Sequence, residues 1–237
     1  MIFFKEYPNK GEKTADEVHK KKGRGRSWEG IEYSDAVKKA YFYGAMVCIF
    51  LTGMIIHGIT GVATPHMYDV GLDAGFVATV VSCHAIALTC FKSLTGIMYD
   101  RFGIRTTANV CMIPAVVVFF LLANVTNTAT GMVLAMIYGI FSSLALPLET
   151  VMLPIYASDL FGEKSFEKIL GLTVSINTAG YALGSPVSNL CYDLTGSYNV
   201  ALYASCIVMI AVIVGRNLVI SASKKTQKNI KNASVSI

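Results

Sequence analysis

Six long runs of apolar residues follow one another along the chain, separated by short polar segments. The runs cover roughly residues 41–64, 74–98, 106–123, 130–156, 169–190 and 200–220. A helix needs about 20 residues to cross about 30 Å of hydrocarbon, and each run meets or approaches that length. The pattern predicts an all-α integral membrane protein with six transmembrane helices in a domain at 41–220, between polar segments 1–40 and 221–237.

Composition supports this class. Of the 237 residues, 54% are hydrophobic and only 15% are charged, and the mean hydropathy of +0.54 is too high for a soluble domain of this size. Half of the 20 lysines and arginines precede the first run. The net charge of +5 therefore reflects the topology of the chain in a membrane and does not indicate nucleic-acid binding.

The positions of the positive charges predict the orientation. With the segments 1–40 and 221–237 in the cytoplasm, three loops lie outside, and none of them contains Lys or Arg: 65–73, 124–129 and 191–199. Among the lysines and arginines only Lys92 and Arg216 lie outside the cytoplasmic segments, and both are near inner span ends. The positive-inside rule then predicts a multi-pass protein of the cell membrane with both termini cytoplasmic.

A short polar turn separates the second and third runs. Its distinctive residues are Gly96, Asp100, Arg101, Gly103 and Arg105. Gly103 permits a tight turn, the two arginines keep that turn in the cytoplasm, and the two flanking helices must be antiparallel neighbours. Asp100 can face a helix N-terminus or pair with an arginine. An ordinary cytoplasmic turn would also show such charges.

The pattern Gly-x-x-x-Asp-Arg-x-Gly-x-Arg between two spans resembles the signature loop of the major facilitator superfamily. The resemblance implies one half of a facilitator fold, a 3+3 inverted repeat of six helices, with the loop at 96–105 as the inner gating element. Residues 1–8 resemble the start of the loop that joins the two halves, so we expect a longer architecture. The expected partners are the lipid bilayer and an N-terminal six-helix half or a second copy of the chain.

Lys92 is the first candidate for substrate binding. It lies four residues before Gly96, about 6 Å of helix rise, where a charge either faces a water-filled cavity or extends to the lipid headgroups. In oxalate/formate antiporter-like and monocarboxylate transporter-like facilitators, which this chain resembles, a basic residue at that position binds the substrate carboxylate. Lysine gives a single-point contact in place of the arginine fork. On helical spacing Thr89, Thr95 and Tyr99 share its face.

Three other polar residues lie within the apolar runs. Glu149 stands between Pro147 and Pro154, which break the helix around it; the carboxyl either binds a coupling proton or pairs with a lysine or hydroxyl near the inner interface. His57 in the first run and Asn177 in the fifth either contact substrate or hydrogen-bond to another helix.

No pattern in the sequence indicates an enzyme, a metal site or a cofactor. It contains no phosphate-binding glycine loop, no nucleophile–base set on a plausible scaffold, and no cysteine pair spaced for a metal or a redox motif. We therefore predict secondary active transport of a small monocarboxylate-like anion by alternating access, as an antiporter or a symporter. The alternative is a non-transporting membrane receptor or scaffold, or an inactive truncated half.

Overall fold

The described part of the chain, residues 30–235 of a computed structural model, consists of helices joined by short turns. In chain order the helices are α1 Tyr33–Ala36, α2 Ala40–Asp69, α3 Ala74–Ala123, α4 Ala129–Phe141, α5 Pro147–Thr150, α6 Met152–Phe161, α7 Phe166–Thr195 and α8 Asn199–Val235, with a 3-10 turn at Ser142–Leu144. These residues contain no strand. The all-α class predicted from the apolar runs is confirmed, while most of the predicted cytoplasmic segment 1–40 lies outside the described residues.

Four of the described helical segments are long and apolar enough to cross a membrane: Ala40–Asp69, Ala74–Ala123, Ala129–Thr150 and Asn199–Ile230. The 30-residue α7 is as long as α2, but it contains more polar residues along its length. Its assignment as a span therefore stays a prediction, as does the total of six.

The longest helix, α3, bends back on itself at Gly103. This residue has φ 78° and ψ 174°, which is not helical, and it separates two halves that we call α3a (74–102) and α3b (104–123). Thr95 Oγ1 on α3a lies 4.0 Å from Cys111 Sγ on α3b, whereas a straight helix would separate these two residues by about 24 Å. The two halves are therefore antiparallel, as the sequence predicts.

The fourth apolar run, predicted at 130–156, is interrupted. Helix α4 ends in the 3-10 turn, and two short helices, α5 and α6, follow. Pro147 opens α5 and Pro154 lies in α6, and neither can donate a backbone hydrogen bond to the preceding turn. The break expected around Glu149 is present, and it places this residue on the four-residue helix α5.

Helix α2 lies at the centre of the bundle, where it contacts α7 and α8. Its contact with α7 is a backbone contact, because small residues face each other. A Cβ atom added at Gly58 would lie 2.9 Å from the carbonyl oxygen of Gly184. A Cβ atom added at Gly180 would lie closer still to the carbonyl oxygen of Phe50. Such close approach brings the polar side chains of α2 and α7 within reach of one another.

Candidate functional site

Lys92 lies on an exposed polar face of α3a. Ser82, Thr89 and Ser93 line up with one another on one flank of Lys92, about 60–100° from it around the helix, and are also exposed. We call these four residues the polar stripe. The three hydroxyl groups donate to carbonyl oxygens one turn earlier on the same helix. The Lys92 ammonium forms no hydrogen bond or ion pair with any residue between 30 and 235.

Two other residues expected on the face of Lys92 lie on the flank of α3a that packs inside the bundle. Thr95 is buried beside Cys111. Tyr99 is half-buried, and its hydroxyl donates to Asp159 Oδ1 over 3.3 Å. At about 100° per residue, Thr95 lies roughly 60° around the helix from Lys92 and Tyr99 roughly 20°, both on the side away from Thr89. They support the hairpin and do not extend the polar stripe.

The turn at residues 96–105 is tied to α8 by Arg105. Its Nη2 atom donates to the carbonyl oxygen of Asn217 over 3.2 Å and also to Ser221 Oγ. Asp100 and Arg101 are exposed, and within the described range neither forms an ion pair. The structure thus shows one attachment between this turn and the last helix.

Glu149, His57 and Asn177, which are far apart in the sequence, are brought together. The Glu149 side chain is 1% exposed, and its Oε2 lies 3.8 Å from Nε2 of His57, whose side chain is 42% exposed. Neither carboxylate oxygen has a hydrogen-bond partner within the described part of the chain. We call these residues, with Tyr181, the acid cluster.

Tyr181 joins the members of the acid cluster. Its ring lies against that of His57, with the ring centroids 3.6 Å apart and the ring planes tilted by 34°, and its hydroxyl lies beside the Glu149 carboxyl and the Asn177 amide. The close α2–α7 contact makes this possible, since a Cβ atom at Gly53 would lie 2.7 Å from Asn177 Oδ1. The sequence contains one signal for Tyr181, its position one helical turn after Asn177.

A small cavity lies between α2, α5, α6, α7 and α8. Its volume is about 30 Å³. Its polar lining consists of Cys48, Thr52, Tyr156, Thr173, Asn177 and Arg216. Asn177 therefore belongs both to the acid cluster and to the lining of this cavity.

Arg216 is the residue in this cavity whose importance the sequence did not reveal. It is 6% exposed, and its Nη2 donates to Asn109 Oδ1 over 3.1 Å. Its Nε has no partner within the described part of the chain, and no carboxylate there forms an ion pair with it. The sequence placed Arg216 only as a positive charge near the inner end of the last span. A lone arginine inside an apolar run is nevertheless itself a signal of function.

Within 30–235 no group of three or more His, Cys, Asp or Glu side chains is arranged to hold a metal ion.

The comparisons with known proteins gave one finding. A sequence model of the Major Facilitator Superfamily matches residues 45–235, which run from the second turn of α2 to the end of α8. A comparison with curated proteins found no match.

Proposed function

The chain belongs to the major facilitator superfamily, whose members are membrane transporters, and we propose that it transports a small monocarboxylate-like anion by alternating access. The observation that supports this most directly is the exposed Lys92 ammonium, which has no partner in the described part of the chain. A carboxylate is the ligand that such an ammonium would bind.

The surroundings of Lys92 favour a water-filled path over contact with lipid tails. A charge in the apolar part of a membrane is costly and usually faces protein or water. The polar stripe adds three hydroxyl-bearing residues on one flank of Lys92. Their oxygens can accept hydrogen bonds from water or substrate while they donate to the helix backbone. Thr89 lies one helical turn before Lys92, the spacing at which two side chains of a helix are neighbours, and would contact the same substrate.

The opposite wall of the path would come from another six-helix unit. We assign spans to α2, α3a, α3b, the α4–α6 segment, α7 and α8, which together form one 3+3 half of a facilitator. Helix α7 also exposes a polar face, with Ser175 and Thr178. An N-terminal half or a second copy of this chain would cover these faces, and the turn at 96–105 would move during gating.

The acid cluster favours coupling of transport to protons. An ionised carboxylate is unfavourable in an apolar interior without partners, so a buried glutamate binds a proton readily. Glu149 forms no well-aligned hydrogen bond in the described range, with the Tyr181 hydroxyl beside it as a neutral neighbour. Its other neighbour, His57, is half-exposed and able to exchange protons with water. Proton–anion symport uses such an acid, whereas simple anion exchange has no need of one.

The test of the anion anchor is uptake of labelled formate and lactate into vesicles. The full chain is assayed alone and with a co-expressed N-terminal six-helix half. We expect Lys92→Ala to lower uptake at least tenfold, because the ammonium is the proposed carboxylate ligand. Lys168→Ala is the matched control, since Lys168 is exposed at the start of α7 and lies off the polar stripe.

Two results would contradict the proposal in different ways. Uptake that survives Lys92→Ala unchanged would remove the anchor but leave transport. Failure of every anion to move in any pairing would favour the receptor or scaffold alternative.

A further inference from the structure

We propose that the cavity around Arg216 is a binding site for a small monovalent anion, separate from the Lys92 face. This inference does not rest on the proposed transport function. It follows from a buried cation, two buried donors without acceptors, and a cavity between them.

Arg216 carries a permanent positive charge. An arginine side chain stays protonated in proteins, so burial cannot neutralise it as it can neutralise a lysine or a glutamate. Only 6% of the surface of Arg216 is exposed. Its neighbours in the described residues are the neutral amide oxygen of Asn109, to which it donates, and the neutral hydroxyl of Tyr156 beside it. A buried charge without a counter-charge is strongly unfavourable, so an anion at this position would stabilise the bundle.

Two buried donor groups beside the cavity lack an acceptor. Nε of Arg216 has no hydrogen-bond partner in the described part of the chain, and neither has the hydroxyl of Tyr156. Tyr156 is buried beside the guanidinium, and both residues line the cavity. Buried polar groups nearly always have partners. An occupant that offers acceptors to both residues would satisfy this requirement, and an anion does so most strongly.

The size and lining of the cavity suit a small anion. Its volume of about 30 Å³ corresponds to roughly two water molecules by the same measure. Chloride, nitrate and formate are of this order of size, whereas a sugar acid such as gluconate is far larger. The cavity wall contains no carboxylate to repel an anion. Asn177, which is 4% exposed, adds a side-chain amide that can donate.

The site is distinct from the Lys92 face in its position in the fold. Lys92 is exposed on α3a, while the cavity lies among α2, α5, α6, α7 and α8 and is lined by no residue of α3a. The link to the rest of the molecule runs through Asn109 on α3b, which accepts from Arg216 and also from the Asn217 amide over 3.1 Å. An anion on Arg216 would therefore stabilise the contact between α3b and α8.

The test measures thermal unfolding of the purified full chain in a neutral detergent. A thiol-reactive fluorophore reports unfolding through the buried Cys111 and Cys206. Chloride, nitrate or formate replaces gluconate at constant ionic strength, so general screening does not change. We expect each small anion to raise the midpoint in a saturable way, because a ligand that binds the native state stabilises it.

Three variants show whether Arg216 binds the anion. Arg216→Met should abolish the anion-dependent rise, and it is expected to fold because apolar replacement of a buried charge is often neutral or stabilising. Tyr156→Phe keeps the ring and removes one donor, so the anion concentration for half-saturation should rise about tenfold. Lys168→Met removes an exposed charge and should leave the response unchanged.

The proposal is overturned if the native chain unfolds at the same midpoint in gluconate and in all three small anions. It is equally overturned if Arg216→Met responds like the native chain. If Arg216→Met does not fold, the Tyr156→Phe variant provides the test. In that case a half-saturation concentration equal to that of the native chain would contradict the site. Because no step requires uptake, these results are independent of whether Lys92 supports transport.

Discussion

Glu149 shows at the scale of a single residue how this bundle places chemistry in an apolar interior. The short helix α5 positions its carboxyl next to His57, with 3.8 Å between Oε2 and Nε2. The half-exposed imidazole lies between this carboxyl and the surface. The pair is therefore arranged for a proton to reach Glu149 without full exposure of the carboxyl.

Replacement of Glu149 by Gln should separate proton coupling from anion binding. The amide has nearly the same shape but cannot exchange a proton, so we expect uptake driven by a pH gradient to fall at least tenfold. Exchange of labelled for unlabelled anion at equal pH should continue. Glu167→Gln is the control, because Glu167 is exposed at the start of α7. Equal losses of driven uptake and of exchange would contradict a coupling role for Glu149.

At the scale of an element, the hairpin of α3 depends on the backbone of one residue. Gly103 adopts φ 78° and ψ 174°, a region that only glycine enters readily. No atom lies within 4 Å of a Cβ added there, so the requirement for glycine concerns the backbone and not space. Gly96, in the same signature pattern, also has open space around it but is helical.

This pair of glycines gives a matched prediction. Gly103→Ala should lower the free energy of unfolding by about 1–3 kcal/mol, because alanine is strained in that conformation. Gly96→Ala should be neutral or slightly stabilising, since alanine favours a helix over glycine by about 0.5–1 kcal/mol. Denaturant titration of the purified chain measures both. A Gly103→Ala variant as stable as Gly96→Ala would show that the turn does not need a positive φ.

At the scale of the whole molecule, the exposed surface of the bundle is of two kinds. Much of it is apolar, as at Leu94 and Ile97, and suits contact with lipid. The polar stripe on α3a and the exposed Ser175 and Thr178 on α7 are different. In the proposed carrier these faces line the path between two halves, while the apolar surface meets the bilayer.

Labelling of single cysteines distinguishes these surfaces. In a variant whose six native cysteines are replaced, we expect Thr89→Cys to react in membranes with a water-soluble maleimide at least tenfold faster than Leu94→Cys. Both positions are exposed on α3a, but they lie about 140° apart around the helix. Thiolates react only where water reaches them. Equal rates at the two positions would mean that Thr89 faces lipid.

The sequence by itself determined the features that depend on local pattern. Length and apolarity of the runs predicted the helices, because a span must be both long and apolar. Gly103 predicted the turn within α3, and the two prolines predicted the interruption around Glu149, because backbone geometry at glycine and proline is a property of the residue. The matched family extends over the same bundle.

Only the tertiary structure decided which polar residues share a site. In a membrane protein apolar side chains face both the lipid and the core, so the pattern along a helix does not show which face is inside. The backbone contact of α2 with α7 joined His57 to Tyr181 and, through α5, to Glu149. The packing of α8 on α3b buried Arg216 beside Asn109. Such pairings between distant segments depend on how helices pack, which no single segment specifies.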